Sequence, residues 1–212
     1  MTVIKGTIET LEDGALDDLD GRGPLLASMQ RETERLIRLV NDLLVLTRAD
    51  AGTLNMRIQP LDLSELVRAR CEHFSALAAR CQVKFYLTVI EARVMGDPDR
   101  LAQVLDNLLD NAIRYSPEGS VIVVDVCQSG NEIQCSIKDN GMGIPEKHLP
   151  FIFERFYRAD SARDRQTGGA GLGLAIARAL VESQGGKISA ESPSGQGTTF
   201  RFSLPASQLP VN

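Results

Sequence analysis

The sharpest helical signal in the chain lies between Asp99 and Pro117, where apolar side chains recur at Leu101, Val104, Leu105, Leu108, Leu109, Ala112 and Ile113. That spacing is one buried face of an α-helix. Asn107 and Asn111 flank the face, and residues four apart stand only about 40° from one another around the axis. Arg114 and Tyr115 follow one turn later on the same side. Amides at the edge of a buried stripe need hydrogen bonds or a hard cation, so the pattern reads as a nucleotide site built on a helix.

A second helical pattern occupies residues 25 to 47. Leu26, Met29, Thr33, Leu36, Val40, Leu43 and Thr47 alternate three and four apart, and Leu25, Ile37 and Leu44 widen the stripe. This is a heptad seam broad enough for more than one neighbour. One neighbour is the apolar face Ile4, Ile8 and Leu11, reached through an acidic, glycine-rich turn from Asp13 to Gly23, with Pro24 suited to the first helical turn. Two helices cannot close a bundle, so dimerisation into four is the natural completion; a hairpin packed on the next domain is the alternative.

After Ala51 and Gly52 the pattern changes. It predicts a short strand near Met56 to Ile58, a helix from a capping Asp62 to about Arg80, a strand from Val83 to Val89, and then the Asn helix. Val121 to Val126 and Glu132 to Asp139 alternate around Ser129-Gly130-Asn131, a hairpin signature. Lys187 to Glu191 and Thr198 to Leu204 bracket a second turn, Ser192 to Gly197. Tightly joined strand pairs imply an antiparallel or mixed sheet with helices on one face, an α+β fold of two layers. The boundaries expected are a helical hairpin over 1–52, a domain over 56–205 and a tail over 206–212.

Composition narrows the function classes. The 212 residues are 43% hydrophobic with a formal charge of −5, enough for one good core but without the clustered Lys and Arg that a nucleic-acid surface needs. No apolar run reaches membrane-spanning length, and Glu9, Glu12, Asp13 and Gly14 interrupt any signal-peptide pattern. A cytoplasmic fragment is expected, with membrane anchoring of its parent left open. The four cysteines, Cys71, Cys81, Cys127 and Cys135, lack C-x-x-C spacing and read as reduced core residues rather than a zinc site.

Two glycine segments add chemistry. Asp139-Asn140-Gly141-Met142-Gly143-Ile144-Pro145 ends a strand with an acid and two glycines; alone it is equally a turn or a place where backbone lies close to a flat ligand. Gly168-Gly169-Ala170-Gly171-Leu172-Gly173-Leu174 opens an amphipathic helix and offers free N–H groups to phosphate. No Lys-Ser/Thr follows, so it is not a P-loop. Leu174 stands where the dinucleotide fingerprint wants its third glycine, so that reading fails too. The polar stretch from Arg158 to Thr167 suits a mobile lid or a merely solvated loop.

In order, N-L-L-D-N-A-I-R-Y-S, D-N-G-M-G-I-P, F-E-R-F-Y-R, G-A-G-L-G-L and G-Q-G-T-T-F resemble the N, G1, F, G2 and G3 boxes of sensor histidine kinases. Upstream, L-V-N-D-L-L-V-L-T-R-A-D-A-G resembles the second helix of that family's dimerisation and phosphotransfer domain. The resemblance implies a Bergerat-type ATPase fold, a two-layer α/β sandwich preceded by a helical hairpin.

By matching position, it implies that Asn107 and Asn111 hold Mg²⁺ on ATP, Asn111 the firmer ligand. Arg114 and Arg158 would reach phosphate, although Arg158 by itself reads as a surface charge. Tyr115 and Ile144 would pack on adenine, and Asp139 would accept from its amino group. Gly141, Gly143, Gly169, Gly171 and Gly173 would shape the walls and cradle, with Leu172 and Leu174 beneath and Thr198 near the base. Phe153 and Phe156 are expected as core anchors of the lid.

The family's phosphoacceptor histidine lies just upstream of a T-x-I-x-G stretch, and this chain begins Thr2-Val3-Ile4-Lys5-Gly6 after its Met. The expectation is therefore a shortened kinase that binds Mg·ATP, has no catalytic histidine of its own, dimerises less firmly through its hairpin and serves a response-regulator receiver domain. His73 and His148 read as plain surface or packing residues. Related gyrase and mismatch-repair ATPases place a glutamate base where Asn107 stands, and Asn cannot take a proton from water. An ATP-hydrolysing relative and a non-enzymatic nucleotide-binding scaffold are the competing readings.

Overall fold

The computed structural model describes Gly6, Ile8, Thr10, residues 22–159 and residues 170–207. Ile4, Leu11, most of the acidic turn, nearly all of the expected lid with Gly169, and most of the expected tail lie outside the described residues. By compactness the chain divides into residues 1–45 and 46–212.

In the first unit the helix α1 (Arg22–Asp50) begins, and it continues into the second. Pro24 falls in its first turn, where a missing N–H is not needed. Leu26, Ile37, Val40, Leu43 and Leu44 of the seam are exposed along it.

In the second unit, β1 (Gln59–Asp62) pairs antiparallel with β3 (Arg93–Gly96), placing Leu61 opposite Val94. The strand expected at Met56 to Ile58 is thus shifted, and β3 was not foreseen. Leu61 is the residue with a core to enter, whereas Ile58 stays exposed. Asp62 caps the next helix as expected, its Oδ1 accepting from the Ser64 N–H at 2.8 Å. That helix is two pieces, α2 (Leu63–His73) and α3 (Ser75–Arg80), with Phe74 between them.

The remaining elements are β2 (Lys84–Val89), α4 (Pro98–Tyr115), β4 (Val121–Ser129), β5 (Glu132–Lys138), α5 (Gly173–Glu182), β6 (Lys187–Glu191) and β7 (Thr199–Pro205). A 3₁₀ helix, Glu146–Phe151, lies between β5 and α5. The sheet order is β2-β4-β5-β7-β6, with β2 parallel to β4 and the other neighbours antiparallel. Helices lie on one face of this mixed sheet, as the sequence predicts.

Alternation explains the layering. Ile122, Val124, Val126, Ile133, Cys135, Ile137, Phe200, Phe202 and Leu204 are buried on one face, while Asp125, Ser136 and Arg201 stand in register on the other. Every apolar position predicted for the Asn helix is at most 3% exposed. Asp97 starts that helix: its Oδ1 accepts from the Asp99 and Arg100 N–H groups at 3.0 and 3.1 Å, and its Oδ2 from the Arg57 N–H at 2.8 Å. Arg70 on α2 grips Asp106 with two bonds of 2.6 and 2.8 Å, fixing the rotation of α4 one residue before Asn107.

Cys71 and Cys135 are buried free thiols, but Cys81 and Cys127 are only partly covered, so the reading of all four as core holds for two. Burial pushes the Cys71 thiol up to about 11.

Leu105 is fully buried under the sheet. Leu105→Ala should lower the unfolding free energy by about 2–5 kcal/mol in urea titrations; a variant as stable as the parent would contradict this packing.

Candidate functional site

The edge of α4 that is not buried in the core forms one wall of a cavity of about 1180 Å³, where Asn107, Asp110, Asn111, Arg114 and Tyr115 line it together. Helical phase explains this: the buried stripe fixes which side of α4 faces the sheet, and these residues fall beside it. The Asn107 Nδ2 is buried with no hydrogen-bond partner among the described residues. A buried amide donor of this kind is costly unless something polar arrives. Arg114 donates to Asp110 at 2.9 Å, one turn back.

Opposite stands the buried Asp139, just past the end of β5. Its Oδ1 accepts from the Gly141 N–H at 2.8 Å and the Thr198 N–H at 3.1 Å. Both bonds fall on Oδ1, so Oδ2 keeps its acceptor capacity. Burial raises the Asp139 carboxyl above its ordinary range, and the two N–H groups pull the other way. The loops around it need glycine: a Cβ on Gly141 would stand 2.5 Å from the Tyr115 carbonyl oxygen, and Gly197, at φ +75°, has the Asp139 carbonyl where a Cβ would go.

The far wall is the start of α5. Its cap, Leu172, makes no side-chain bond to the free N–H groups, and Gly173 and Leu174 face the cavity. A Cβ on Gly173 would come within 3.0 Å of the Asn107 Oδ1, so glycine lets that amide lie against the helix end. An uncapped helix N-terminus beside an unpartnered amide favours an anion.

Asn107, Asn111, Arg114, Tyr115, Asp139, Gly143, Ile144, Arg158, Gly171, Gly173, Leu174 and Thr198 therefore border one cavity. Gly141 lies behind it against Tyr115 and Asp139. Leu172 packs beneath, 1% exposed. Gly169 lies outside the described residues.

Two expectations change. Phe153 is a packing residue, edge-on to Phe200 at 6.5 Å, but Phe156 is not: it is 59% exposed, because a φ of +61° turns its side chain outward. His148, read as a surface or packing residue, does pack, sharing a 2.6 Å hydrogen bond with the Tyr157 hydroxyl, but it also borders the cavity, which the sequence did not indicate. Ser192 was also missed. Its hydroxyl accepts from the Ile144 N–H at 2.7 Å and donates to the Gly197 carbonyl at 2.8 Å, tying the turn after β6 to the loop after β5. Single residues in turn-rich segments carry no periodicity, so only pairing in space reveals them.

Residues 96–208 match the family described as histidine kinase-, DNA gyrase B-, and HSP90-like ATPase, and residues 1–52 match the His Kinase A (phospho-acceptor) domain. The sensor histidine kinase WalK of Bacillus subtilis is 39% identical over 97% of this chain, which spans 34% of that relative. Among solved structures, full-length ShkA in complex with AMPPNP has a TM-score of 0.78 at 27% identity, over 91% of this chain and 40% of that one. Histidine kinase ThkA in complex with the response regulator protein TrrA has a TM-score of 0.74 at 26% identity, over 97% of this chain and 57% of that one.

Because the native carboxyl of Asp139 titrates above its unfolded value, this group favours folding at low pH, and that contribution is lost as pH rises through the native pKa. Asp139→Asn mimics the protonated acid. From about pH 4 to pH 7, the urea midpoint of the parent should fall relative to that of Asp139→Asn; a difference between the two that stays constant with pH would sink this assignment.

Proposed function

The chain belongs to the histidine kinase family, and from that premise we propose that residues 56–205 hold Mg·ATP for transfer of its γ-phosphate to a histidine carried on a helical domain, for onward transfer to a response-regulator aspartate. One observation carries the reading: a single cavity joins Asp139 at one end to Asn107, Asn111 and the uncapped start of α5 at the other. Those chemistries suit a base and a polyphosphate respectively. The whole-protein activity is inferred, since the chain spans about a third of the length of the curated relatives it matches.

In this proposal Oδ2 of Asp139 accepts from the adenine amino group, which selects against guanine because guanine presents a carbonyl there. Tyr115 and Ile144 supply apolar surface at the base, with Thr198 beside it. The amide oxygens of Asn111 and Asn107 are hard ligands that fit Mg²⁺, and the buried, unpartnered Nδ2 of Asn107, a donor, supports a phosphate oxygen beside it. Bound there, Mg²⁺ supplies charge neutralisation across the phosphates. Arg114, Arg158 and the N–H groups opening α5 orient phosphate oxygens, while Gly143, Gly171 and Gly173 keep side chains out of the way. Asn107 cannot take a proton from water, so hydrolysis is slow and the phosphate awaits a better nucleophile.

Neither histidine of the chain fits that nucleophile. His73 is exposed at the end of α2, and His148 is bonded to Tyr157. The exposed apolar stripe of α1, with the match of residues 1–52 to the His Kinase A (phospho-acceptor) domain, supports a homodimer through that segment, a second copy covering the stripe. The neighbouring ThkA in complex with a response regulator supports a receiver domain as the onward partner. Among the described residues no helix is long and apolar enough to cross a membrane.

With γ-labelled ATP and Mg²⁺ this chain should stay unlabelled, while a supplied histidine-bearing helical domain acquires acid-labile label. Asn111→Ala should cut that transfer by about 10²-fold, and Asp139→Asn should abolish the preference for ATP over GTP. Acid-labile label on the chain itself, or brisk hydrolysis lost in Asn107→Ala, would overturn the proposal.

A further inference from the structure

The segment leading to Arg158 is held by an arrangement that its sequence does not announce. At Phe156 the backbone enters the left-handed region, with φ +61°, and its N–H donates to the Gly171 carbonyl at 2.9 Å. A Cβ on Gly171 would come within 2.9 Å of the Phe156 carbonyl carbon, so the two strands of chain lie in direct contact. A non-glycine residue keeps such a φ only where its surroundings insist on it. The exposed Phe156 side chain supplies none of that insistence.

Tyr157 does. Its ring lies 5.7 Å from that of Phe151 and 6.1 Å from that of His148, and its hydroxyl meets the His148 Nδ1 at 2.6 Å. His148 is itself fixed, since its N–H donates to the Pro145 carbonyl at 2.8 Å in the first turn of the 3₁₀ helix. The bond therefore links the loop after β5 to the residue adjoining Arg158, and His148, Tyr157 and Arg158 all border the nucleotide cavity. Either ring tautomer sustains it: Tyr157 donates to a bare Nδ1, or a protonated Nδ1 donates to Tyr157.

We infer that the His148–Tyr157 hydrogen bond is a positioning device for Arg158, setting where its guanidinium meets the phosphates of the nucleotide. His148 and Tyr157 are positioning residues that act through Arg158 and leave recognition of the base to Asp139. This rests on the proposed Mg·ATP site. Its consequence is selective: loss of the bond weakens binding of the triphosphate and spares adenosine.

The test is competition of Mg·ATP and of adenosine against a fluorescent ATP analogue, on the full chain and on Tyr157→Phe, His148→Leu, the double variant and His148→Gln. Tyr157→Phe and His148→Leu should each weaken Mg·ATP by about three- to tenfold, the range expected for one hydrogen bond. Adenosine should change by less than about twofold, the double variant should be no worse than either single one, and His148→Gln, which keeps a hydrogen-bonding group, should recover most of the loss. Thermal midpoints measured alongside show that each variant is folded. Unchanged Mg·ATP affinity, equal losses for ATP and adenosine, or additive losses in the double variant would each overturn the inference. A parent chain that binds neither ligand would instead remove the nucleotide reading beneath it.

Discussion

A buried carboxylate at the end of β5 is the constraint around which the site is arranged. Asp139 holds the start of the loop after its own strand through Gly141 and the approach to β7 through Thr198. One side-chain oxygen thus closes two chain segments that are far apart in sequence. The neighbours must lie close for this to work, which is why Gly141 and Gly197 have no room for a side chain. Burying an acid is unfavourable, and the two N–H donors reduce that penalty without removing it, as the raised carboxyl shows. The site thus keeps a strong acceptor poised in an apolar wall, at some expense to the fold.

The other end of the cavity follows from packing of helices. The stripe of α4 from Leu101 to Ile113 settles against the sheet and α5, and Arg70 clamps Asp106 from the side. Asn107 then has no choice of direction. Gly173 lets the amide rest on the start of α5, so a donor-rich helix end and two amides share one small volume. Neither helix builds that environment alone.

Much of this was legible in the sequence because it is periodic. The α4 stripe, the hairpin around Gly130 and the capping role of Asp62 all follow from spacing or local turn chemistry, and the structure agrees with each. Asp139 was legible as an acid between a strand and two glycines. Less could be read where an element is too short to repeat: β1 and β3 have four residues each, so one or two inward side chains decide their register. Phe74, which separates α2 from α3, carries no breaker signal such as Gly or Pro. The pairing of His148 with Tyr157 joins residues nine apart across a 3₁₀ turn, and no pattern of hydrophobicity encodes a contact of that kind. Phe156 misled because aromatic residues usually pack, whereas its backbone conformation sends the ring outward.

The shared use of α4 also limits how this protein can change. Core residues and site residues alternate along one helix, each advancing about 100° per position. Inserting or deleting a single residue between Leu105 and Asn111 would turn everything beyond it by that angle, moving amides into the core and leucines into the cavity at one stroke. Substitutions can retune the site side chain by side chain, but its reading frame is locked to that of the core, so indels are tolerable only in the loops beyond the helix ends.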